Sequence, residues 1–409
     1  MNWKNKKVAI LGWGADTQDV EPWLKKQGAI VTILDENMDD KAFADLSGYE
    51  VLVRSPGVYR YRKEIVEAEK KGIVVTSKVK IFFDECVTSN IIGVTGTKGK
   101  GTTSSLIYEM LKVAGKDVFF GGNVGKPMFG FLEQLKSDSI VVLELSSFQL
   151  MDLHKSPHVA VTLMVTVDHM DWHKDIDEYV NAKSQITRFQ NKGDISVFND
   201  QYPNSVKIGS LGEGKKIAVN RSMWNEPTRL RGEHNKENLA AAMAVCRELS
   251  IDQEIILKIG KEFKGLEHRL EEVAEVRGVK YFNDSISTTP ETAMAAISAF
   301  TEPMILILGG SNKGSDFTAL GKMVSESQHL KAVVLVGVMS EKIKMAILQF
   351  GAKCKLLEGA VNMKEIVDQA KSVSEPGDVV VLSPACASFD MFKNYKDRGK
   401  QFVESVKQL

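Results

Sequence analysis

Residues 91–111 constrain the fold more than any other stretch. The apolar pair Ile91-Ile92 leads into GVTGTKGKGTT at residues 93–103. Leu106, Ile107, Met110 and Leu111 then recur at helical spacing, and Gly115 follows where a helix would end. Strand, glycine loop and helix in this order build a phosphate cradle. Glycines let backbone N–H groups face an anion, the helix N-terminus adds partial positive charge, and Lys100 reaches β- and γ-phosphates. Gly96, Thr97, Lys98, Gly99, Lys100, Gly101 and Thr102 are therefore expected to hold a nucleoside triphosphate. Two positions depart from the general phosphate-loop pattern. Val94 stands at its first glycine, and Gly101 stands where Ser or Thr usually follows the lysine.

Short β-branched runs alternate with helical patterns along most of the chain. Strands are predicted at 8–11, 30–34, 51–53, 73–75, 91–94, 140–145, 159–167, 304–308, 333–336 and 379–382. Such alternation implies α/β architecture, with mostly parallel sheets covered by helices. The strands near 8, 91 and 304 each open into a glycine-bearing loop, which marks three units with expected boundaries at 1–86, 87–264 and 265–409. The 53 basic and 53 acidic residues balance, and no long basic run exists, which disfavours nucleic acid as a partner. Cys86, Cys246, Cys354 and Cys386 are scattered without a CxxC pair, as suits a reducing cytoplasm. The opening MNWKNKKVAILGWG runs into a short strand, so no secretory leader and no membrane span are expected.

In the first unit, residues 8–14 (VAILGWG) followed by Asp35 resemble a dinucleotide-binding turn that lacks its third glycine. Asp16 and Asp19 lie at the expected helix start, where they read as a local cap whose charge would repel a phosphate. Ser55-Pro56-Gly57 forms another tight loop, flanked by Arg54, Arg60 and Arg62, which read either as anion contacts or as a solvated basic loop.

Glu144 interrupts the apolar run 140–145. A carboxylate there is costly unless paired or metal-bound, and its place downstream of the phosphate loop suits Mg²⁺. The run 159–167 ends in Asp168-His169-Met170-Asp171. Tyr179, Lys183 and Ile186 then fall on one helical stripe, so Lys183 is expected among apolar neighbours. Burial lowers a lysine's pKa, and a neutral amine can capture CO₂ as a carbamate, an oxygen ligand for a hard metal. The plainer reading is a lysine whose stem is buried and whose head reaches water.

The ordered set TGTKGK, LELSSFQL, DHMDWH with YVNAK, GEHNKEN, GLEHR, NDSISTTP, LGGSNKGSDF and SPACASFDMFKNYKDRG resembles the Mur ligases. The resemblance runs from about Gly93 to Phe402, and more loosely to the N-terminus. It implies a Rossmann-like N-terminal domain, a central P-loop ATPase-type domain and a Rossmann-like C-terminal domain. It also implies ATP-dependent ligation of D-glutamate to UDP-N-acetylmuramoyl-L-alanine through an acyl phosphate, by a monomer in the cytoplasm. Lys100, His169 and Lys183 would be catalytic. Thr102, Glu144, His169 and carbamylated Lys183 would hold two Mg²⁺ ions. Asn235, Asn238, His268, Arg269 and Asp284 would contact ATP. Gly14, Asp35, Ser55, Gly57, Asn123, Ser146 and His169 would face the UDP-sugar. Thr288, Lys313, Ser388, Phe389 and Tyr395 would cradle the amino acid. The chain departs from the family pattern at Lys98 (usually Asn), Gly101 (Ser or Thr), Ile286 (often Lys), Asn312 (often acidic or Gly) and Glu267 (often Pro). A ligase for another amino acid such as L-glutamate, or a nucleotide-sugar-binding paralogue without turnover, are the alternatives.

Overall fold

The computed structural model describes residues 1–14, 16–123, 125–311 and 314–409. The chain forms two compact units. One comprises Met1–Pro227 with Glu233–Lys261, and the other Thr228–Gly232 with Glu262–Leu409.

The first unit holds two sheets. Strands β1 (Lys7–Leu11), β2 (Ile30–Leu34), β3 (Val51–Arg54) and β4 (Val74–Ser77) form an all-parallel sheet in the order β2-β1-β3-β4. Successive residues of β1 serve opposite faces. Val8 and Ile10 pack with Val20 and Leu24, whereas Ala9 and Leu11 pack with Phe43, Leu46 and Ile65. That two-sided burial accounts for the unbroken apolar run in the sequence. Strands β5 (Ile91–Thr95), β6 (Val118–Gly122), β7 (Ile140–Glu144), β8 (Val159–Thr162), β9 (Ile195–Asn199) and β10 (Lys215–Val219) form a second parallel sheet, ordered β10-β9-β8-β5-β7-β6. The order reverses about β5, and the crevice outside the carboxyl ends of strands at such a point is where α/β sheets bind ligands.

The second unit holds β11 (Glu271–Val276), β12 (Val279–Asn283), β13 (Met304–Gly309), β14 (Leu330–Val336), β15 (Lys355–Leu357) and β16 (Val379–Leu382), ordered β11-β12-β16-β13-β14-β15. Only the β11–β12 pair is antiparallel. Here too both faces are covered. Leu306, Leu308 and Val381 face one core, and Ile305, Ile307 and Val380 the other.

The α/β class and mostly parallel sheets agree with the sequence reading, but one strand is shorter than expected. The run 159–167 is a strand only over Val159–Thr162. Beyond it the backbone turns to the phosphate loop. Leu163 N donates to Thr95 O (2.9 Å), Met164 O accepts from Thr97 N (2.6 Å) and Thr166 O from Thr97 Oγ1 (3.0 Å). Apolar composition alone does not distinguish a strand from an extended segment that braces a loop. Among the described residues no helix is long and apolar enough to cross a membrane.

Candidate functional site

The phosphate loop leaves β5 at Thr95 and enters the helix Lys100–Val113. Gly99, the residue before that helix, has φ 89°, and a Cβ there would overlap Asn238 Oδ1. Glycine is thus required both for the turn and for the close approach of the helix His234–Glu248. Asn238 also accepts from Thr103 Oγ1 at 3.3 Å and donates to Asn235 Oδ1 at 2.8 Å. The structure therefore brings Asn235 and Asn238 to the phosphate loop. Lys100 Nζ donates to Gly96 O (3.0 Å) and Thr97 O (3.1 Å). Thr102 is 7 % exposed, in the first turn of the helix.

Lys183 approaches the same loop from the helix Ile176–Arg188. It is 2 % exposed, donates to Gly96 O at 3.0 Å and lies 4.7 Å from the Tyr179 ring centroid. Burial, and then the neighbouring Lys100 charge, hold its pKa well below the ordinary lysine value. The head does not reach water, so the stem-only burial reading fails. Burial also pushes the Tyr179 hydroxyl up to about 12, where it stays neutral and pairs with Thr97 Oγ1 at 2.9 Å.

Glu144 ends β7 with 3 % exposure. Oε1 accepts from Asn123 Nδ2 at 3.2 Å, while Oε2 is buried with no hydrogen-bond partner among the described residues. An orphaned buried carboxylate oxygen is costly, and a divalent cation would satisfy it. Among the described residues no three His, Cys, Asp or Glu side chains converge as a metal cluster. A metal set here needs other donors, and the Thr102 hydroxyl and a carbamate on Lys183 are of the right oxygen chemistry. His169 has φ 56°, a side chain 47 % exposed, and its ring 4.9 Å from Phe148.

Sequence reasoning missed the side chains that brace His169. His173 donates its backbone N–H to His169 O at 2.9 Å. Its ring pairs with Ser147 Oγ (2.9 Å) and Glu178 Oε1 (3.1 Å), and Glu178 Oε2 accepts from Tyr59 at 2.9 Å. The geometry is that of a Ser–His–Glu triad, but Ser147 is 2 % exposed and walled in. This chain of contacts joins the loop after β3 to the turn at His169. The only hint in the sequence was a second histidine in DHMDWH.

The three arginines near Ser55-Pro56-Gly57 all engage carboxylates rather than facing an open anion site. Arg54, fully buried, gives Nε to Asp152 (2.8 Å) and its other nitrogens to Ser55 O, Val58 O and Phe148 O. Arg60 pairs with Asp152 and Glu69, and Arg62 with Glu36. Arg54 thus clamps the Ser55–Gly57 loop to the segment after β7. Arg54→Met should lower unfolding free energy by about 3–5 kcal/mol, because it leaves Asp152 buried with a weaker partner. A urea titration showing a loss below about 1 kcal/mol would reject the clamp.

Asp19 is likewise not a cap. It makes no side-chain bond to the helix Val20–Lys26, but pairs with buried Lys78 (2.7 Å) and accepts from Phe129 N (3.1 Å). Lys78 balances its charge there, which weakens the part of the expected phosphate repulsion that falls to Asp19. Asp35 accepts from Trp13 N and Asn37 N, and the first of these contributes most to holding its pKa below the ordinary value. It shapes the loop that bears Gly14.

In the second unit, His268 (5 % exposed) meets Asn283 Nδ2 at 2.9 Å and the Tyr395 ring at 6.1 Å between centroids. Asp284 accepts from Ser287 Oγ (2.5 Å), Ser383 Oγ (2.8 Å) and Leu270 N (3.1 Å). Burial raises it to about 6 against those bonds and the Arg269 charge. Thr288 is half-buried in the same loop, Ser388 is buried, and Phe389 is 71 % exposed beside Ser311. Lys313 lies outside the described residues.

Residues 94–220 match the Mur ligase middle domain, and residues 268–386 match the Mur ligase, glutamate ligase domain. The chain is similar to the UDP-N-acetylmuramoylalanine–D-glutamate ligases of Clostridium botulinum strain Langeland and Clostridium tetani strain Massachusetts. Each is 35 % identical, over 451 and 450 residues respectively, covering 99 % of this chain and 97 % of the relative. Among solved structures, UDP-N-acetylmuramate-alanine ligase MurC from Thermotoga maritima gives a TM-score of 0.61 at 18 % identity, covering 99 % of this chain and 100 % of that one. MurF ligase from Thermotoga maritima in complex with ADP gives 0.58 at 17 %, covering 99 % and 95 %. At these identities the solved structures speak to the fold alone.

Proposed function

The chain belongs to the Mur ligase family, and on that premise we propose that it joins D-glutamate to UDP-N-acetylmuramoyl-L-alanine with ATP, in peptidoglycan precursor synthesis. The L-alanyl carboxylate attacks the γ-phosphorus of ATP, releasing ADP and leaving an acyl phosphate. The amine of D-glutamate attacks that carbonyl, loses a proton and displaces phosphate. The observation that carries the reading is the phosphate loop, with buried Lys183 on Gly96 O and, at the end of the adjacent strand β7, a glutamate with one orphaned oxygen.

Phosphoryl transfer depends on alignment and charge neutralisation more than on covalent help. Lys100 would hold the phosphates, the loop amides would orient them, and Asn235 and Asn238 would line the adenine side. Mur ligases use Mg²⁺, which when bound neutralises phosphoryl oxygens. Thr102 and Glu144 would hold one ion, and His169 and carbamylated Lys183 a second. Residues 1–86 would carry the nucleotide sugar, 87–264 ATP, and 265–409 the amino acid, with Thr288, Lys313, Ser388, Phe389 and Tyr395 around it. A cytoplasmic monomer is the expected state.

The test is phosphate release from ATP, Mg²⁺ and UDP-N-acetylmuramoyl-L-alanine with D-glutamate, L-glutamate or no amino acid. D-glutamate-dependent release is expected, and release with L-glutamate alone would reassign the amino acid. Gly101 favours a second reading, a nucleotide-sugar-binding paralogue without turnover. That reading requires ligand-induced thermal stabilisation but no release in any arm.

A further inference from the structure

Arg398 lies in the helix Tyr395–Lys407 and is 2 % exposed. Among the described residues its guanidinium meets only neutral oxygens at hydrogen-bond distance. Nε donates to Ser285 Oγ at 2.9 Å, Nη2 to Ser285 O at 2.8 Å and Nη1 to Cys386 O at 3.1 Å. Among the described residues it forms no ion pair, and Asp390 acts on it only at longer range. Burial pushes its pKa down to about 10, so it remains a cation at neutral pH.

A buried charge without a carboxylate partner is expensive, and an apolar side chain of similar volume would serve packing better. What the guanidinium provides is a rigid planar fork, and the fork spans two loops. Ser285 follows β12 and Cys386 follows β16, and these are adjacent parallel strands with Asn283 opposite Leu382. The loop after β12 bears Asp284 and Thr288, and the loop after β16 bears Ser388 and Phe389. Further bonds tie the fork's own helix to the first loop. Ser285 Oγ donates to Tyr395 O at 2.8 Å, and Asn283 Nδ2 to Gly399 O at 3.4 Å.

We propose that Arg398 is a positioning and specificity-determining residue of the amino-acid site, fixing the gap between the loops that carry Thr288 and Ser388 while its buried charge favours an amino acid with an anionic side chain. This rests on the ligase reading above. The charge lies beneath both loops and is not neutralised by an ion pair, so it acts on whatever the loops hold. Its attraction for a carboxylate is strengthened by the low dielectric around it. Lysine in its place would keep the charge and lose the fork. Methionine would lose both.

The experiment is steady-state kinetics of the full chain with D-glutamate and with D-glutamine, its uncharged near-isostere, at saturating ATP and nucleotide sugar. For R398M, KM for D-glutamate should rise about tenfold or more, and the preference for D-glutamate over D-glutamine should fall by a similar factor. KM for ATP should move less than KM for D-glutamate, because Asp284 is also held by Ser383 Oγ and Leu270 N. For R398K, KM for D-glutamate should also rise, while the preference is kept. Leu335→Ala, a core truncation in β14 of the same unit, is the destabilised control and should move neither quantity. An unchanged KM and preference in R398M, or the same changes in Leu335→Ala, would overturn the proposal. If R398M does not fold, R398K decides, and wild-type KM there overturns the role of the fork. A wild type with no D-glutamate-dependent release overturns the ligase reading and this inference with it. A wild type that turns over beside an unchanged R398M overturns this inference alone.

Discussion

Lys183→Ala is expected to lower ATP-dependent ligation by on the order of 10³-fold, and added acetate or formate should return a measurable part of it. The argument begins with a buried amine that donates to Gly96 O and lies beside Lys100, and whose pKa is held well below the ordinary lysine value. The lowered pKa leaves this amine more often unprotonated than an exposed lysine, and so more nucleophilic toward CO₂. Its nitrogen bonds to the carbon, a proton leaves, and the product is a carbamate anion. The Lys100 charge that opposes an ammonium here would stabilise that anion. Short carboxylates can place similar oxygens in the cavity left by alanine. The sign of the pH effect on stability is also fixed. Between the lowered folded pKa and the unfolded value near 10.5, the unfolded chain binds one more proton than the folded one. In CO₂-free buffer the wild type should therefore gain stability as pH rises through that window, and Lys183→Met should lack this gain. Full activity in Lys183→Ala would remove the carbamate from the mechanism. A loss unaffected by acetate, formate and CO₂ alike would leave Lys183 only a structural part.

What the sequence disclosed and what it withheld divide along physical lines. The phosphate loop was legible because glycine, lysine and helix spacing are local properties, and Gly99 shows why. Its positive φ and the Asn238 amide that would meet a Cβ both demand glycine. The burial of Lys183 was legible from its place on an apolar helical stripe. Central strands such as β13 and β16 were legible because both faces are covered and the run is unbroken. The edge strands β10 and β11, with sequences KKIAV and EEVAEV, were not, since edges are charged and half-solvated. Long-range pairing was hidden for another reason. Arg54 finds Asp152 98 positions away, and Arg398 finds Ser285 113 positions away. A charged residue looks the same in sequence whether it faces water or clamps two loops, so Arg54, Arg60 and Arg62 read as anion contacts or a solvated loop, and Asp19 as part of a local cap. His173 was overlooked because its partners, Ser147 and Glu178, come from different elements.

Lys100→Ala is expected to reduce phosphate release by about 10²- to 10³-fold, the usual consequence of removing one aligned cationic donor from a transferring phosphoryl group. The structure adds a second effect. Lys100 is the largest electrostatic influence on Lys183 after burial itself. Without it the Lys183 amine is more basic, more often protonated and a poorer trap for CO₂, and a carbamate formed there loses that countercharge. Lys100→Ala should therefore disable both lysines, and the double variant should be little worse than either single one. Independent roles predict that the two losses multiply, whereas shared roles predict that they do not. Saturating CO₂ separates the contributions, since it should recover part of the loss in Lys100→Ala and none in the double variant. Multiplicative losses together with no response to CO₂ would mean that the two lysines act separately, and that their shared hold on Gly96 O is a matter of folding rather than catalysis.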